Sequence, residues 1–158
     1  MSDRMPITRA GYEVLRERVN RLKTTERREV AREIEIARGH GDLRENADYD
    51  AAKNKQGMIE ANIRDLEDKL ARAEVIDVAN LSGDKVLFGA TVTIVDVKTG
   101  ADQRFQIVGE VEADTKNAKI SVTSPLARSI IGKVVGDTVK AQTPGGAREI
   151  EITEVVFE

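Results

Sequence analysis

From Thr8 to about residue 74 the chain carries no proline, and its apolar residues recur at helical spacing. Leu15, Val19 and Leu22 form a heptad-like seam. Thr8 is a candidate N-cap and is followed by good helix formers. The seam blurs over Lys23–Glu29 and resumes at Val30, Ile34 and Ala37. Gly39 and Gly41 then interrupt it, and glycines in such places stop a helix and let the chain reverse. After Asp42 the pattern restarts at Leu43, Ala47 and Ala51, and it becomes regular at Ile59, Ile63, Leu66, Leu70 and Ala73. The pattern predicts two helices of about 30 residues packed as an antiparallel hairpin, each burying its narrow apolar seam on the other. At the helical rise each arm is about 45 Å long, a length suited to reaching something.

Near Val75 the period changes. Val75-Ile76-Asp77-Val78 reads as a short strand, Leu81–Lys85 as a loop, and Ala90–Val97 as an alternating strand closed by a Thr99-Gly100 turn. Further strands are expected at Arg104–Val108, Lys119–Val122, Thr138–Gln142 and Glu149–Val156, with a Thr143-Pro144-Gly145-Gly146 turn between the last two. Ser124–Ile131 reads as a short helix with Ser124 as N-cap, Pro125 in its first position and Gly132 at its end. The fold class is α+β: an N-terminal α-helical coiled-coil hairpin over residues 1–76, with its tip at about 39–50, then an antiparallel β-sheet domain with one short helix over 77–158.

Composition supports a long charged helical element joined to a modest globular part. Charged residues make up 34% and aromatics only 3%, without tryptophan, whereas a single compact core would hold more aromatics. No segment approaches the roughly 20 apolar residues of a membrane span, and the N-terminus shows no secretory h-region. Without cysteine there is no disulfide framework and no thiolate metal site, so a cytoplasmic protein is expected. The net charge of -3 argues against a generic DNA-coating protein. Acid and base balance over residues 1–74, and the negative excess lies beyond them, which again suggests two modules.

The chemistry-bearing residues cluster between the two predicted helices. Asp42 and Glu45 share one face of a helix start, Asp48 continues that face, and Asp50 is nearby. Such carboxylates suit a hard cation: Mg²⁺ prefers oxygen and often takes only one or two protein carboxylates. Two alone bind it weakly, and they work best by completing a site that another molecule has begun. The same D-x-x-E pattern is also a capping box, and early acidic residues suit the helix dipole. Capping can hold these side chains until they are used. His40 has no partner for a triad or a zinc site and reads as a polar turn residue. Tyr49 suits either stacking on a base or packing on the opposite arm. Basic residues outnumber acidic ones between Arg16 and Arg38, a mixed face that reads first as solvated helix.

Gly41-Asp42-Leu43-Arg44-Glu45-Asn46-Ala47-Asp48-Tyr49, Ser124-Pro125-Leu126-Ala127-Arg128 and Thr143-Pro144-Gly145-Gly146 together resemble motifs of the bacterial Gre transcript cleavage factors. Phe88-Gly89-Ala90 and Ile107-Val108-Gly109 add to the match, which runs from about Thr8 to Phe157. His40, Leu43 and the Pro-Gly-Gly turn resemble the GreA branch more than the GreB branch. The resemblance implies a C-terminal domain of FKBP-like topology and an elongation factor that binds bacterial RNA polymerase. That domain docks on the rim of the secondary channel, and the hairpin passes inward to the catalytic centre, where it helps the polymerase cut backtracked nascent RNA near its 3′ end. By motif match Asp42 and Glu45 are the acidic pair, sharing Mg²⁺ with the polymerase, and no cofactor is held by the factor alone. Asn46, Asp48 and Tyr49 support the tip. Ser124, Pro125 and Arg128 lie near the docking surface, and a monomer is expected.

Two other readings are open to the residues. A module that occupies the channel without cleaving is expected to carry an altered tip, and Asp42 and Glu45 are intact. A prolyl isomerase needs an aromatic-lined pocket, for which the C-terminal half offers only Phe88, Phe105 and Phe157.

Overall fold

A computed structural model of the chain describes residues 4–39 and 46–158. The chain divides into two compact units, one formed by residues 12–72 and the other by the residues up to Gly11 together with Ala73–Glu158.

The helical unit holds helix α1 (Arg9–Arg21, whose first turn belongs to the other unit), a π-helical stretch at Leu22–Glu26, α2 (Arg27–Gly39) and α3 (Asn46–Arg72). Leu22, Val30, Ile59 and Ile63 are buried together, with Leu66 packed against them. Three ion pairs run beside this seam: Lys23 with Glu67 at 2.6 Å, Arg27 with Glu60 at 2.8 Å, and Lys55 with Glu33 at 3.1 Å. Rising numbers on one arm meet falling numbers on the other, so the arms are antiparallel. Arg27 grips Glu60 with two guanidinium nitrogens, the two-pronged geometry that makes arginine–carboxylate pairs specific. This contact raises the Arg27 pKa and lowers that of Glu60.

The π-helical stretch explains the blurred seam. Val19 and Leu22 obey the heptad spacing, and so do Val30, Ile34 and Ala37, but the second set lies one residue late. The wider i→i+5 turn takes up that extra residue, so Leu22 and Val30 both reach the seam. Thr24, inside it, donates its hydroxyl to the Asn20 carbonyl at 2.7 Å. Gly57 sits in the exposed interior of α3 with nothing within 4 Å of the position a Cβ would take. Gly57→Ala is therefore expected to stabilise the helical unit by about 0.5–1 kcal/mol, read as a raised denaturation midpoint.

The other unit is built on a five-stranded sheet in the order β5-β4-β3-β7-β6. Its strands are β3 (Thr91–Asp96), β4 (Asp102–Val108), β5 (Lys119–Ser121), β6 (Thr138–Thr143) and β7 (Gly146–Val156). Alternation along β3 and β4 sends Val92, Ile94, Phe105 and Ile107 into one core with Ile150 and Ile152 of β7. Helix α4 (Pro125–Ile130) contributes Ala127 and Ile130 to that core. Between Thr93 and Ile94 the β3–β7 register shifts by a bulge at Thr153, whose hydroxyl donates to the Thr93 carbonyl at 3.2 Å. The expected strands from Ala90 onward, the short helix and the turns are present, whereas the strand expected at Val75–Val78 lies at Ala73–Ile76 and Asp77 instead caps a 3₁₀ turn at Val78–Asn80.

Two further details differ from the expectation, and one expectation is not reached by the described residues. The sheet is antiparallel except at β4–β5, which is parallel, because Glu110–Glu112 and Thr115–Asn117 form 3₁₀ turns that carry the chain around before β5. The division at residue 76 moves: a four-residue strand β1 (Met5–Thr8) pairs in parallel with β2 (Ala73–Ile76), placing the first described residues with the sheet unit. So short a strand containing Pro6 has no alternation to reveal it, and it is a strand only because β2 lies beside it. Lastly, the described part of α3 begins at Asn46, while the expected helix restart at Leu43 and the Asp42–Glu45 capping box lie outside the described residues.

The β3–β4 turn carries a pH-dependent contact. Asp96 accepts from the backbone N–H groups of Lys98 and Thr99 at 2.9 and 3.1 Å and faces Arg148 at 3.4 Å. The Thr99 N–H chiefly holds its carboxyl below the ordinary value, against a desolvation that raises it, with Lys98 and Arg148 assisting. A lowered folded pKa means a stabilisation present above the unfolded value of about 3.9 and lost as pH falls through the folded one. The stability gap between the parent chain and Asp96→Asn is thus expected to be open at neutral pH and to close as pH falls through the lowered folded value, as measured by urea titration.

Candidate functional site

The candidate site is the segment joining α2 to α3. Its acidic pair, Asp42 and Glu45, and His40 lie outside the described residues, as does the side chain of Asn46. The described flanks show how the site is carried. Arg38 stands in the last turn of α2 and Asp48 in the first turn of α3, each complementing its helix dipole. Tyr49 is half-buried, and the Arg38 guanidinium lies 6.0 Å from its ring centroid, at the limit of a cation–π contact. This contact is compatible with the reading of Tyr49 as packing on the opposite arm. Arg38 was not singled out by sequence, since no local pattern announces a contact made across the hairpin. Below these residues Ala37 and Ala52 are buried in the seam, and such small side chains let helices approach closely. Asp48 and Asp50 point to solvent. Among the described residues no group of three or more His, Cys, Asp or Glu side chains could hold a metal ion.

The second candidate region lies on the sheet unit. Ser124 caps α4, its hydroxyl oxygen accepting from Ala127 N at 3.3 Å, and Pro125 occupies the first turn. Gly132, at φ 86°, follows the helix where a side chain is disfavoured. Ser124 is thus engaged by the helix, whereas Pro125 and Arg128 are exposed. These residues belong to the sheet unit, whereas the α2–α3 segment belongs to the helical unit. Glu112, a residue not picked out by sequence, accepts three hydrogen bonds in the sheet unit, from Thr8 N, the Thr8 hydroxyl and Gly109 N.

Both halves of the chain match models of one class of protein, the transcription elongation factors. Residues 5–75 match the family model described as "Transcription elongation factor, N-terminal", and residues 81–157 match "Transcription elongation factor, GreA/GreB, C-term". The chain is 56% identical to "Transcription elongation factor GreA" of Phenylobacterium zucineum over 97% of this chain and 98% of that protein. It is 50% identical to the protein of the same name from Trichlorobacter lovleyi over the whole of both. Among solved structures, GreA factor homolog 1 of Thermus thermophilus is 30% identical, covering 96% of this chain and 98% of its own, with a TM-score of 0.44. A GreA/GreB elongation factor from Nitrosomonas europaea is 21% identical over 98% and 99%, also at 0.44.

The chain belongs to the GreA/GreB family of transcription elongation factors. Membership implies interaction with RNA polymerase. Among the described residues no helix is long and apolar enough to cross a membrane.

Proposed function

We propose that this factor passes its helical hairpin into the secondary channel of bacterial RNA polymerase and stimulates the polymerase's own cleavage of backtracked nascent RNA, rescuing arrested complexes. The observation that carries the reading is the placement of the Gly41–Asn46 motif between two long antiparallel helices. The 27 residues of α3 span about 40 Å, a length suited to reaching into another molecule.

The residues fit a share in Mg²⁺ binding. Asp42 and Glu45 offer only hard oxygen donors, the type Mg²⁺ prefers, and as a pair they match the one or two carboxylates it commonly takes from protein. They would hold the ion together with polymerase carboxylates and RNA phosphate oxygens. When bound, the ion supplies Lewis-acid stabilisation of charge on the phosphoryl oxygens. The carboxylate oxygens not engaged with the ion accept a hydrogen bond from the attacking water and orient it. Tyr49 against Arg38 stiffens the start of α3, and Asn46 and Asp48 flank the pair. Pro125 and Arg128, exposed beside the Ser124 cap, belong to the surface that docks on the polymerase in the cytoplasm. The scissile bond and most of the catalytic centre remain the polymerase's, so the factor acts as a cofactor and not as an enzyme.

The test uses purified RNA polymerase halted in a backtracked complex. With the factor and Mg²⁺, short RNA fragments bearing the 3′ end are expected to be released faster than without it. Binding with an unchanged cleavage rate would overturn the reading in favour of a channel occupant.

A further inference from the structure

We infer that Glu112 is a positioning residue for the tip, acting through the root of α1. This rests on the function proposed above. Glu112 lies half-buried at the end of the 3₁₀ turn after β4. One carboxylate oxygen accepts from the backbone N–H of Thr8 at 2.9 Å and from that of Gly109 at 2.8 Å. The other accepts from the Thr8 hydroxyl. The oxygen of that hydroxyl in turn accepts from Gly11 N at 3.1 Å, the N-cap bond of α1. A single carboxylate thus joins the end of β1, the first turn of α1 and the turn after β4.

The backbone is shaped around this carboxylate. A Cβ on Gly11 would overlap the Glu112 carboxylate, and one on Gly109 would strike the Pro6 carbonyl oxygen. Thr8 is buried and Ile7 beside it is fully so, which leaves the strand end little room to shift. Hydrogen bonds to an ionised carboxylate are stronger than neutral ones, so the three hold this junction firmly.

The reason to place this cluster in the mechanism is leverage. Helical backbone runs from Arg9 through the π-helical stretch to Gly39. Over an arm of about 45 Å, roughly 10° of slack at the root moves the far end by about 8 Å. A misplacement of about 1 Å at reacting groups can already cost about a hundredfold in rate. Securing the root therefore governs how well Asp42 and Glu45 are delivered, while leaving the docking residues of the sheet unit untouched.

The experiment compares the parent chain with Glu112→Ala, Glu112→Gln, Thr8→Val and the control Glu110→Ala. Polymerase affinity and the cleavage rate at saturating factor are measured separately. Affinity is expected to stay within about threefold, while the saturated rate falls about tenfold or more in Glu112→Ala. Glu112→Gln, which keeps an accepting carbonyl, should recover part of the rate, and the control should match the parent. Amide exchange on the free protein should quicken at Gly11 and Gly109 in Glu112→Ala. That arm needs no polymerase: if the parent chain itself fails to stimulate cleavage, the proposed function falls while exchange still decides whether the clamp exists. Should Glu112→Ala not fold, Thr8→Val removes one hydroxyl and carries the same comparison. A saturated rate equal to the parent's, affinity and rate lost in parallel, or unchanged exchange would each overturn the inference.

Discussion

A factor carrying Asp42→Ala and Glu45→Ala is expected to bind RNA polymerase as tightly as the parent chain and to release no RNA beyond the polymerase's own rate. Binding should survive because the proposed docking residues, Pro125 and Arg128, are exposed on the sheet unit, in a part of the chain the substitutions do not touch. Stimulation is lost because the pair provides the hard oxygen donors of the motif. Altering only the outer partners of a metal ligand typically costs about 10–100-fold, so removing two ligands should cost about a hundredfold or more. Single variants should retain a remnant that rises with Mg²⁺ concentration, since one carboxylate leaves a weaker half-site. Asp42→Asn and Glu45→Gln separate charge from shape: amide oxygens still ligate but attract a cation less strongly. Full stimulation by the double variant, in bound complexes, would remove the acidic pair from the mechanism.

The largest stability effect is expected from Phe105→Ala. Phe105 sits on β4 directly opposite Val92 of β3, and it is the largest of the fully buried side chains. It fills the core between the sheet and the Ala127 and Ile130 face of α4. Truncating a buried phenylalanine costs about 3–5 kcal/mol, from lost transfer energy and the cavity left behind. A domain's whole stability is about 5–15 kcal/mol, so the sheet unit should lose a large part of its margin. Urea unfolding should show this as a lowered midpoint with the slope little changed. The helical unit, whose seam of Leu22, Val30, Ile59 and Ile63 excludes Phe105, should keep its helical signal beyond the sheet transition. A single shared transition would show that the two units unfold together.

Much of this architecture was legible in the sequence because it rests on local periodicity. The seams of both arms, the alternation of β3, and the Ser124-Pro125 start of α4 each follow from side chains a few positions apart. The Thr143–Gly146 turn was legible for the same reason, and the two ends of that turn pair directly. The acidic pair was legible as chemistry only through the wider set of motifs, since D-x-x-E at a helix start reads equally as a cap. Other features depend on residues distant along the chain. The approach of Arg38 to Tyr49 across the hairpin is one of them. The ion pairs Lys23–Glu67 and Arg27–Glu60 become predictable only once the hairpin register is known, and the extra residue in the π-helical stretch shifts that register.

By itself, then, the sequence determined two units, a helical hairpin and a sheet with one short helix, and it placed the candidate chemistry at the segment joining the hairpin's arms. Those features need only the helical and strand periods and the turn chemistry of neighbouring residues. Tertiary structure alone decided where the N-terminal segment belongs, the parallel pairings of β1 with β2 and of β4 with β5, and the contacts of Glu112. The Thr8–Glu112 bonds span 104 positions. No local propensity encodes such a pairing, because a carboxylate finds its donors only after the strands that carry them have packed.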